Sequence, residues 1–469
     1  MKQLVQSMMN GEMALEEVPV PSTNSKSVLI RTEYSLVSLG TERMLVEFAN
    51  SNLFVKARNQ PDKVRQILDK IRSDGLAPTI EVVFNKLNHT ASLGYCNVGV
   101  VETVGSEVAS FKVGDRVVSN GAHAEFVCVS EKLCAKVPAS VSGENAVFTV
   151  VGAIALQGIR LVAPTLGETV IVVGLGLVGL IAVQLLKANG CNVIGIDTDP
   201  SKVKLAETLG VSAVCISDEI DPVAFVTDRT NGVGADAVLI AATTNSNEVI
   251  SQAAKMSRRR GRIVLVGVVG LDLSRADFYE KELTFQVSCS YGPGRYDDDY
   301  ELKSRDYPVG FVRWTEQRNL EAVLEVISRG QLDLQSLVTA VTPIARYQDV
   351  YDNISDPSKI ASILAYSSDG KAIESKSVAV KSRKKAKVAK PVVAVIGAGN
   401  YTTSTIIPVL KSLDVGIKTI VSAGGLSAMM AAKKAGAVIA STDFKGVLKD
   451  KEVDVVIIAT RHNLHADMV

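Results

Sequence analysis

A glycine-rich turn directly follows an apolar run near the middle of the chain: Val170-Ile171-Val172-Val173-Gly174-Leu175-Gly176-Leu177-Val178-Gly179. A segment with helical periodicity follows over 180–187, and a second apolar run over 192–196 ends in Asp197. This order of strand, glycine turn, helix and strand with a terminal acid is typical of a dinucleotide-binding βαβ unit. The sequence therefore predicts an α/β domain with a parallel sheet here.

Each residue of this turn has an expected role in holding a dinucleotide. Gly174 permits the tight turn, and Gly176 lets the backbone approach the pyrophosphate. Gly179 lets the helix pack close to the sheet. The main-chain amides at the helix N-terminus, from Leu177 and Val178, are expected to bind the phosphate charge.

Asp197 determines which cofactor the sequence predicts. Its carboxylate is expected to accept hydrogen bonds from both ribose hydroxyls of the adenosine, and its charge would repel a 2′-phosphate. We therefore expect NAD(H) rather than NADP(H) at this turn. The alternative is a Rossmann-like fold that binds no cofactor.

A second glycine turn, Gly397-Ala398-Gly399-Asn400, follows the apolar run 392–396 and predicts a second nucleotide site. Thr402 stands at the third glycine position, and Ser422 stands where an acid is expected. Without that carboxylate, NADP(H) should be tolerated at this site. The residues that follow are too few for a catalytic domain, so we expect this unit to be catalytically inactive as it stands.

Patterning divides the chain into five regions. They are a β-rich region over 1–150 with a helical insertion at 52–90, a strand–helix region over 151–285, a mixed region over 286–366 that should return to the first, a basic linker over 367–391 and a truncated Rossmann unit over 392–469. The linker could contact nucleic acid or anionic lipid, but it lacks aromatic residues, and we interpret it as a solvated tether.

Composition narrows the class of protein. Hydrophobic residues make up 47% of the chain and the net charge is +1, which favours an ordinary core-forming protein without a nucleic-acid partner. No apolar stretch is long enough to span a bilayer, so no membrane partner is expected. The six cysteines are scattered, which is typical of reduced thiols in a cytoplasmic protein.

With Gly114-Asp115-Arg116-Val117, residues 1–366 resemble the medium-chain dehydrogenase/reductase superfamily. The resemblance implies a GroES-like catalytic domain with an inserted Rossmann domain, and an alcohol dehydrogenase-like enzyme. Zinc enzymes of that family read Cys-Gly-Thr-Asp and Gly-His-Glu where this chain reads Leu39-Gly40-Thr41-Glu42 and Gly94-Tyr95-Cys96. We therefore expect no metal, although an improvised zinc site from Cys96, His123 and Glu42 is an alternative.

Some other group must then handle the proton of the reaction. Tyr95 and Cys96 occupy the lost zinc-ligand positions and should line the cleft. Tyr95 could donate a proton to a carbonyl oxygen, and Glu42 and His123 could relay protons. The alternative for each of these four residues is a packing or hydrogen-bonding role.

A loop rich in arginine and aromatic residues is the candidate substrate site. Arg295 and Arg313 could clamp a phosphate or carboxylate. Tyr291, Tyr296 and Trp314 could stack on a sugar or a base. The alternative is a structured interdomain loop.

Residues 392–469 resemble the N-terminal half of the Gfo/Idh/MocA oxidoreductases, through the first turn, the run 453–460 and Asn463-Leu464-His465-Ala466. The fused order is similar to two-part oxidoreductases of bacterial polysaccharide pathways. The resemblance implies NAD(H)-dependent hydride transfer to or from a sugar or sugar nucleotide without zinc, in a homodimer. The alternatives are a redox-inactive NAD(H) sensor or scaffold, and a first unit that only presents its product to the second.

Overall fold

The computed structural model describes residues 1–50, 90–216, 220–367, 376–380, 391–466 and 468–469. The helical insertion predicted at 52–90 lies, except for its last residue, outside the described residues. Strands and helices are numbered below along the described chain.

The first region is dominated by short strands. Its elements are β1 (Lys2–Ser7), β2 (Met13–Glu17), β3 (Ser27–Ser38), α1 (Leu39–Asn50), β4 (Thr90–Ser92), β5 (Asn97–Val104), β6 (Arg116–Ser119), β7 (Phe126–Ser130), β8 (Cys134–Lys136), α2 (Gly143–Ala146) and α3 (Thr149–Val162). Strands β1, β2 and β4 form a separate three-stranded sheet.

The second region alternates strands and helices. Its elements are β9 (Thr169–Val173), α4 (Leu177–Ala188), β10 (Asn192–Asp197), α5 (Pro200–Thr208), β11 (Ser212–Cys215), α6 (Pro222–Arg229), β12 (Ala235–Ile240), α7 (Glu248–Met256), β13 (Ser257–Leu265), α8 (Arg275–Tyr279) and β14 (Thr284–Val287). All neighbouring strands pair in parallel, in the order β11-β10-β9-β12-β13-β14. This is the Rossmann strand order, so the predicted fold class is confirmed.

The sequence explains why β9 is central in this sheet. Its β-branched run is buried on both faces, as helices on either side of a parallel sheet require. The strand order reverses between β9 and β12, and the glycine turn follows β9 at that point. Ligands of open α/β sheets bind in this crevice.

The third region returns to the first. Its elements are α9 (Asp298–Glu301), α10 (Glu316–Ser328), β15 (Val338–Pro343), α11 (Gln348–Tyr351) and β16 (Ala361–Ala365). Strand β16 pairs antiparallel with β3, completing a seven-stranded sheet in the order β15-β16-β3-β5-β6-β8 with β7 also paired to β3. One hydrophobic core joins this sheet to α3, α4 and α10.

The C-terminal region is a second, smaller Rossmann sheet. Its elements are β17 (Ser377–Ala379), β18 (Val392–Ile396), α12 (Ile407–Ser412), β19 (Gly416–Val421), α13 (Gly425–Ala435), β20 (Ile439–Ser441), α14 (Phe444–Leu448) and β21 (Val455–Ile458). The strand order is β17-β20-β19-β18-β21, with β17 antiparallel to β20. The prediction of a linker throughout 367–391 is therefore wrong for 377–379, where the backbone pairs with the sheet edge.

This second sheet packs against the segment that follows β2. The Thr442 hydroxyl donates to the Val20 carbonyl at 2.6 Å, and the Ser22 amide donates to the Ala423 carbonyl at 3.0 Å. Lys433 adds an ion pair to Glu16 at 2.7 Å. Within the described residues, no helix combines the length and apolar character needed to cross a membrane.

Candidate active site and nucleotide sites

The first glycine turn is sterically closed except where a dinucleotide would approach. Gly174 has φ +93°, and a Cβ there would lie 2.6 Å from the Ala242 nitrogen. A Cβ at Gly179 would lie only 1.9 Å from the Gly174 carbonyl oxygen, so α4 packs directly on the turn. A Cβ at Gly176 would meet no atom within 4 Å. The open face of the turn is therefore at Gly176, where the pyrophosphate is expected.

Helix α4 begins at this open face without a side-chain cap on Gly176. Its first amides, from Leu177 and Val178, belong to the helix N-terminus that carries partial positive charge. The turn therefore fits the phosphates of a dinucleotide.

Asp197 lies at the end of β10 beside the turn. Its carboxylate accepts hydrogen bonds from the Leu175 amide at 2.6 Å and the Asp199 amide at 2.9 Å. These bonds fix its orientation and use one position on each oxygen. A carboxylate has about four lone-pair sites, so each oxygen can still accept a ribose hydroxyl.

The second glycine turn has Thr402 at the position where the first turn has its third glycine. Gly397 donates its amide to the Val421 carbonyl at 2.8 Å, as Gly174 does to Ile196 at 2.8 Å. Thr402, in place of the third glycine, is fully buried, and its hydroxyl donates to the Gly397 carbonyl at 2.7 Å. A widened π-helical turn over Thr402–Ile406 accompanies the larger side chain.

The remaining parts of the second turn are Gly399, Asn400 and Ser422. A Cβ at Gly399 would meet nothing within 4 Å, so the turn is open there and beside Asn400. Ser422 follows β19 in the position that Asp197 has after β10. Its hydroxyl is hydrogen-bonded to that of Ser427 at 2.8 Å.

Two predicted catalytic residues meet in the interior of the first region. Glu42 and His123 have no exposed surface, and the His123 Nε2 lies 3.2 Å from a Glu42 carboxylate oxygen. The same carboxylate accepts the Ser38 amide at 3.1 Å and the Tyr351 hydroxyl. Burial, and then the Glu42 charge, raise the pKa of Tyr351, which therefore keeps its proton.

The network continues on the other side of the imidazole. The His123 Nδ1 lies 2.7 Å from the Ser35 hydroxyl, which lies 2.8 Å from the Tyr366 hydroxyl. Gly94, with φ +84°, makes room for the ring, because a Cβ there would come within 2.6 Å of it. The hydrogen-bonded chain thus runs from Tyr366 to Tyr351 through Ser35, His123 and Glu42.

Tyr95 lies beside this network and is only partly buried. Its hydroxyl donates to the Thr41 hydroxyl at 3.2 Å and is also within reach of the Ser38 hydroxyl. Burial is the main cause that raises the pKa of Tyr95, so the phenol is neutral near pH 7. Of the four predicted catalytic side chains, Tyr95 is the one that is not fully buried.

Cys96 does not lie in the cleft as the sequence suggested. It has no exposed surface and packs in the hydrophobic core. Burial, and then the Glu42 charge, raise the pKa of its thiol, so it is an inert core residue here.

The former zinc-ligand positions hold side chains that are not usual zinc ligands, since Leu39 is a core side chain and Tyr95 is a phenol. Glu42 and His123, two members of the improvised set, are hydrogen-bonded to each other. Across the described ranges, no cluster of three or more His, Cys, Asp or Glu side chains has a metal-binding arrangement.

The predicted substrate loop is divided into two clusters. Tyr291 is 6% exposed, and its hydroxyl accepts a hydrogen bond from the Asn120 amide at 3.2 Å. Its ring is therefore a core group and not a stacking platform, which corrects the prediction. Arg295 pairs with Glu301 at 2.6 Å and contacts the exposed Tyr296 ring at 4.2 Å.

Arg313 and Trp314 form the other cluster, with Arg160 of α3. The guanidinium carbons of Arg160 and Arg313 lie 3.4 and 3.9 Å from the Trp314 ring centroid. The predicted clamp of Arg295 with Arg313 is therefore wrong, because the two arginines pack against different partners.

Sequence reasoning missed the most perturbed carboxylate of this region. Glu316, at the start of α10, has no exposed surface and no hydrogen-bond partner for either carboxylate oxygen. Burial, and then the Glu301 charge, raise the pKa of Glu316 to about 8, against an opposing effect of Arg295. Tyr351 and Tyr366 were also missed, because nothing local to them marks a partner 309 or 331 residues away.

Three family models match separate parts of the chain. They describe an alcohol dehydrogenase GroES-like domain over 71–139, a zinc-binding dehydrogenase over 178–304, and an oxidoreductase family with an NAD-binding Rossmann fold over 392–469. Among solved structures, galactitol-1-phosphate dehydrogenase from Escherichia coli superimposes with a TM-score of 0.60 at 18% identity, covering 78% of this chain and 100% of that one.

Proteins with similar sequences are also dehydrogenases. The D-guloside 3-dehydrogenase of Escherichia coli (strain K12) is 28% identical over 269 residues, 55% of this chain and 72% of that protein. The (R,R)-butanediol dehydrogenase of Bacillus subtilis (strain 168) is 29% identical over 236 residues, 44% of this chain and 67% of that protein. The chain is a nicotinamide-dependent dehydrogenase.

Two of the matched family models overlap the nucleotide turns of the dehydrogenase. The matched zinc-binding model covers the first nucleotide turn from Val178 onward, and the matched oxidoreductase model covers the second. Leu39 and Tyr95, the positions at which the resemblance to zinc enzymes implies ligands, lie outside the residues that the zinc-binding model matches.

Proposed function

We propose that the dehydrogenase transfers hydride between NAD(H), bound at 174–197, and a hydroxyl or carbonyl carbon of a sugar or sugar nucleotide, without catalytic zinc. The polysaccharide pathways suggested by its two-part organisation are the proposed setting. The sugar class is supported by relatives such as the D-guloside 3-dehydrogenase and by the resemblance of the second unit to an oxidoreductase family that acts largely on sugars.

The observation that carries the proposal is the environment of the Tyr95 phenol. Tyr95 is partly exposed and stands at a former zinc-ligand position, and burial raises the pKa of its phenol. A neutral phenol can donate a proton to a developing alkoxide, which is the stabilisation that zinc would otherwise supply.

When bound, the nicotinamide supplies or accepts the hydride. In the reducing direction, we propose that the Tyr95 hydroxyl gives its proton to the substrate oxygen while the carbonyl carbon is reduced. The Thr41 and Ser38 hydroxyls beside it then help to return a proton to the phenolate. In this proposal Glu42 and His123 do not contact the substrate, because they are fully buried. They hold the start of α1, which carries Thr41, in place.

Asp197 supports NAD over NADP in this proposal. Its carboxylate is held by two main-chain amides and retains acceptor positions for ribose hydroxyls. A 2′-phosphate at the same place would bring two negative charges together. At the second turn Ser422 replaces this carboxylate, and we propose that this turn tolerates NADP(H).

The test is nicotinamide absorbance on the full chain after exhaustive chelation. The protein is assayed with NAD and NADH against sugar nucleotides and simple alcohols, and each reaction is repeated after Zn²⁺ is added back. We expect turnover that survives the chelator and does not rise with Zn²⁺. Turnover that appears only with Zn²⁺ would exclude the zinc-free mechanism. NADH binding without any turnover would favour the sensor or scaffold alternative.

A further inference from the structure

A cavity of about 500 Å³ lies away from both nucleotide turns, between α3, the end of α4 and α10. Its floor is aliphatic, formed by Leu156, Ile159, Leu185, Ala188, Ala322 and Val326. Its volume is within the range of small-molecule sites, roughly 300–1,000 Å³.

The cavity is separate from the dinucleotide site. It touches the last turn of α4, whereas Gly176 begins the same helix. A twelve-residue helix is about 18 Å long. A ligand in the cavity and a cofactor at the turn therefore lie at opposite ends of α4.

Two positive charges lie against one aromatic ring that lines the cavity. Arg160 and Trp314 line it, and Arg160 and Arg313 both lie against the Trp314 ring. The Arg160 Nε donates to the neutral Asn319 side chain at 2.7 Å. In the described part of the chain, no carboxylate oxygen lies within the 4.0 Å ion-pair distance of either guanidinium.

The neighbouring charges do not balance this pair. Glu321 of α10 interacts with Arg313 only at longer range, and burial raises its own pKa. Arg329, which also lines the cavity, is paired with Glu325 at 2.9 Å. Burial, followed by repulsion from Arg313, lowers the pKa of Arg160 to about 10. A bound anion would relieve this repulsion, since like charges close together in a partly desolvated site disfavour each other.

We propose that this cavity binds a small amphipathic organic anion, with its carboxylate or phosphate against Arg160, where the nearby charge of Arg313 also attracts it, and its apolar part on the aliphatic floor. Arginine suits either head group, because its planar donors match both geometries. This site is independent of the proposed hydride transfer.

The protein contains its own reporter for this site. Trp314 is the only tryptophan of the chain, so tryptophan fluorescence reports directly on the cavity. The full chain is titrated at constant ionic strength with octanoate, octyl phosphate, octan-1-ol, acetate and inorganic phosphate. Octanoate and octyl phosphate carry both the anionic head group and the apolar chain of the proposed ligand. Octan-1-ol carries only the apolar chain, and acetate and inorganic phosphate carry only the anionic head group.

We expect saturable binding of octanoate, octyl phosphate or both, and their relative affinity identifies the preferred head group. The separate parts should bind roughly ten-fold more weakly or worse, the effect of losing one charge-assisted contact. Saturating NAD should leave the affinity unchanged. Arg313→Gln, at an exposed position, should weaken binding roughly ten-fold, and Arg160→Gln should do the same. Arg346→Gln, which removes an exposed arginine paired with Asp349, is the matched control.

Several results would overturn the proposal. They are the absence of any saturable signal, an affinity that Arg313→Gln and Arg160→Gln leave unchanged, and competition between octanoate and NAD. Octanol or inorganic phosphate binding as tightly as octanoate and octyl phosphate would also overturn it, because the site would then not be reading both parts of the ligand.

Discussion

Glu42 and His123 form a fully buried pair, 3.2 Å apart, in the interior of the first region. The Glu42 carboxylate also accepts the Ser38 amide and the Tyr351 hydroxyl. A polar pair in the interior persists only when its remaining donors and acceptors are satisfied, and here they are. The network therefore forms a rigid structural support for the Tyr95 phenol, which lies beside it.

Glu42→Ala should destabilise the first region strongly. The variant leaves the His123 ring, the Tyr351 hydroxyl and the Ser38 amide without their acceptor in the interior. Breaking a buried pair in this way costs about 3–5 kcal/mol. The measurement is the free energy of unfolding in urea, followed by Trp314 fluorescence.

Glu47→Ala is the control for that experiment, since Glu47 lies on the same helix but is exposed and pairs with Arg43. Its loss should cost about 0.5 kcal/mol or less. Equal stability of the two variants would show that Glu42 has no structural role.

Tyr95→Phe should lower kcat in the zinc-free assay by about a hundred-fold, because a positioned general acid typically contributes that much or more. The affinity for the cofactor should not change, since the phenol does not lie at the glycine turn. Tyr279→Phe, at a 65% exposed tyrosine, should retain full activity. Wild-type turnover in Tyr95→Phe would remove this residue from the mechanism.

Asp197→Ala should weaken NAD binding roughly ten-fold or more, the effect of losing charged acceptors for the ribose hydroxyls. NADP binding should be unchanged or improved, because the repulsion of its 2′-phosphate is removed. Calorimetric titration of both cofactors measures the ratio. Asp349→Ala, an exposed acid paired with Arg346, is the control, and unaltered discrimination in Asp197→Ala would contradict the assignment.

Glu316 should make the stability of the dehydrogenase depend on pH. Its folded-state pKa of about 8 is above its ordinary value of 4.5, so the folded protein binds this proton more tightly than the unfolded chain. The resulting stability is complete below pH 4.5 and is lost as the pH rises through 8. Between pH 5 and 8 the loss is on the order of 3 kcal/mol.

Glu316→Gln is neutral at every pH and should lack this loss. Its stability relative to the wild type should therefore increase steadily from pH 5 to pH 8 in urea unfolding. Glu325→Gln lies on the same helix at an exposed position and should follow the wild-type curve. Parallel curves for the wild type and Glu316→Gln would show that this carboxyl is not held protonated.

Local sequence patterns predict only part of the site. Asp197 and the three glycines lie where the pattern placed them, because strand, turn and helix are formed by neighbouring residues under local steric rules. The sequence groups Glu42 with His123 as proton relays or as alternative zinc ligands with Cys96, but it does not predict their direct hydrogen bond, and it gives no sign of Tyr351 or Tyr366. Arg160, which joins Trp314, had no distinguishing feature in its helix.

The sequence by itself determined the two Rossmann units, the open glycine turns and the loss of the zinc-ligand side chains, since each depends on residue type at short spacing. Only the tertiary structure decided which side chains meet. Strand β16 pairs with β3 and brings Tyr366 to Ser35, and the packing of α11 brings Tyr351 to Glu42. The same folding buries Tyr291 and separates Arg295 from Arg313. Contacts between residues hundreds of positions apart depend on how whole sheets and helices close on one core, and no local pattern records that.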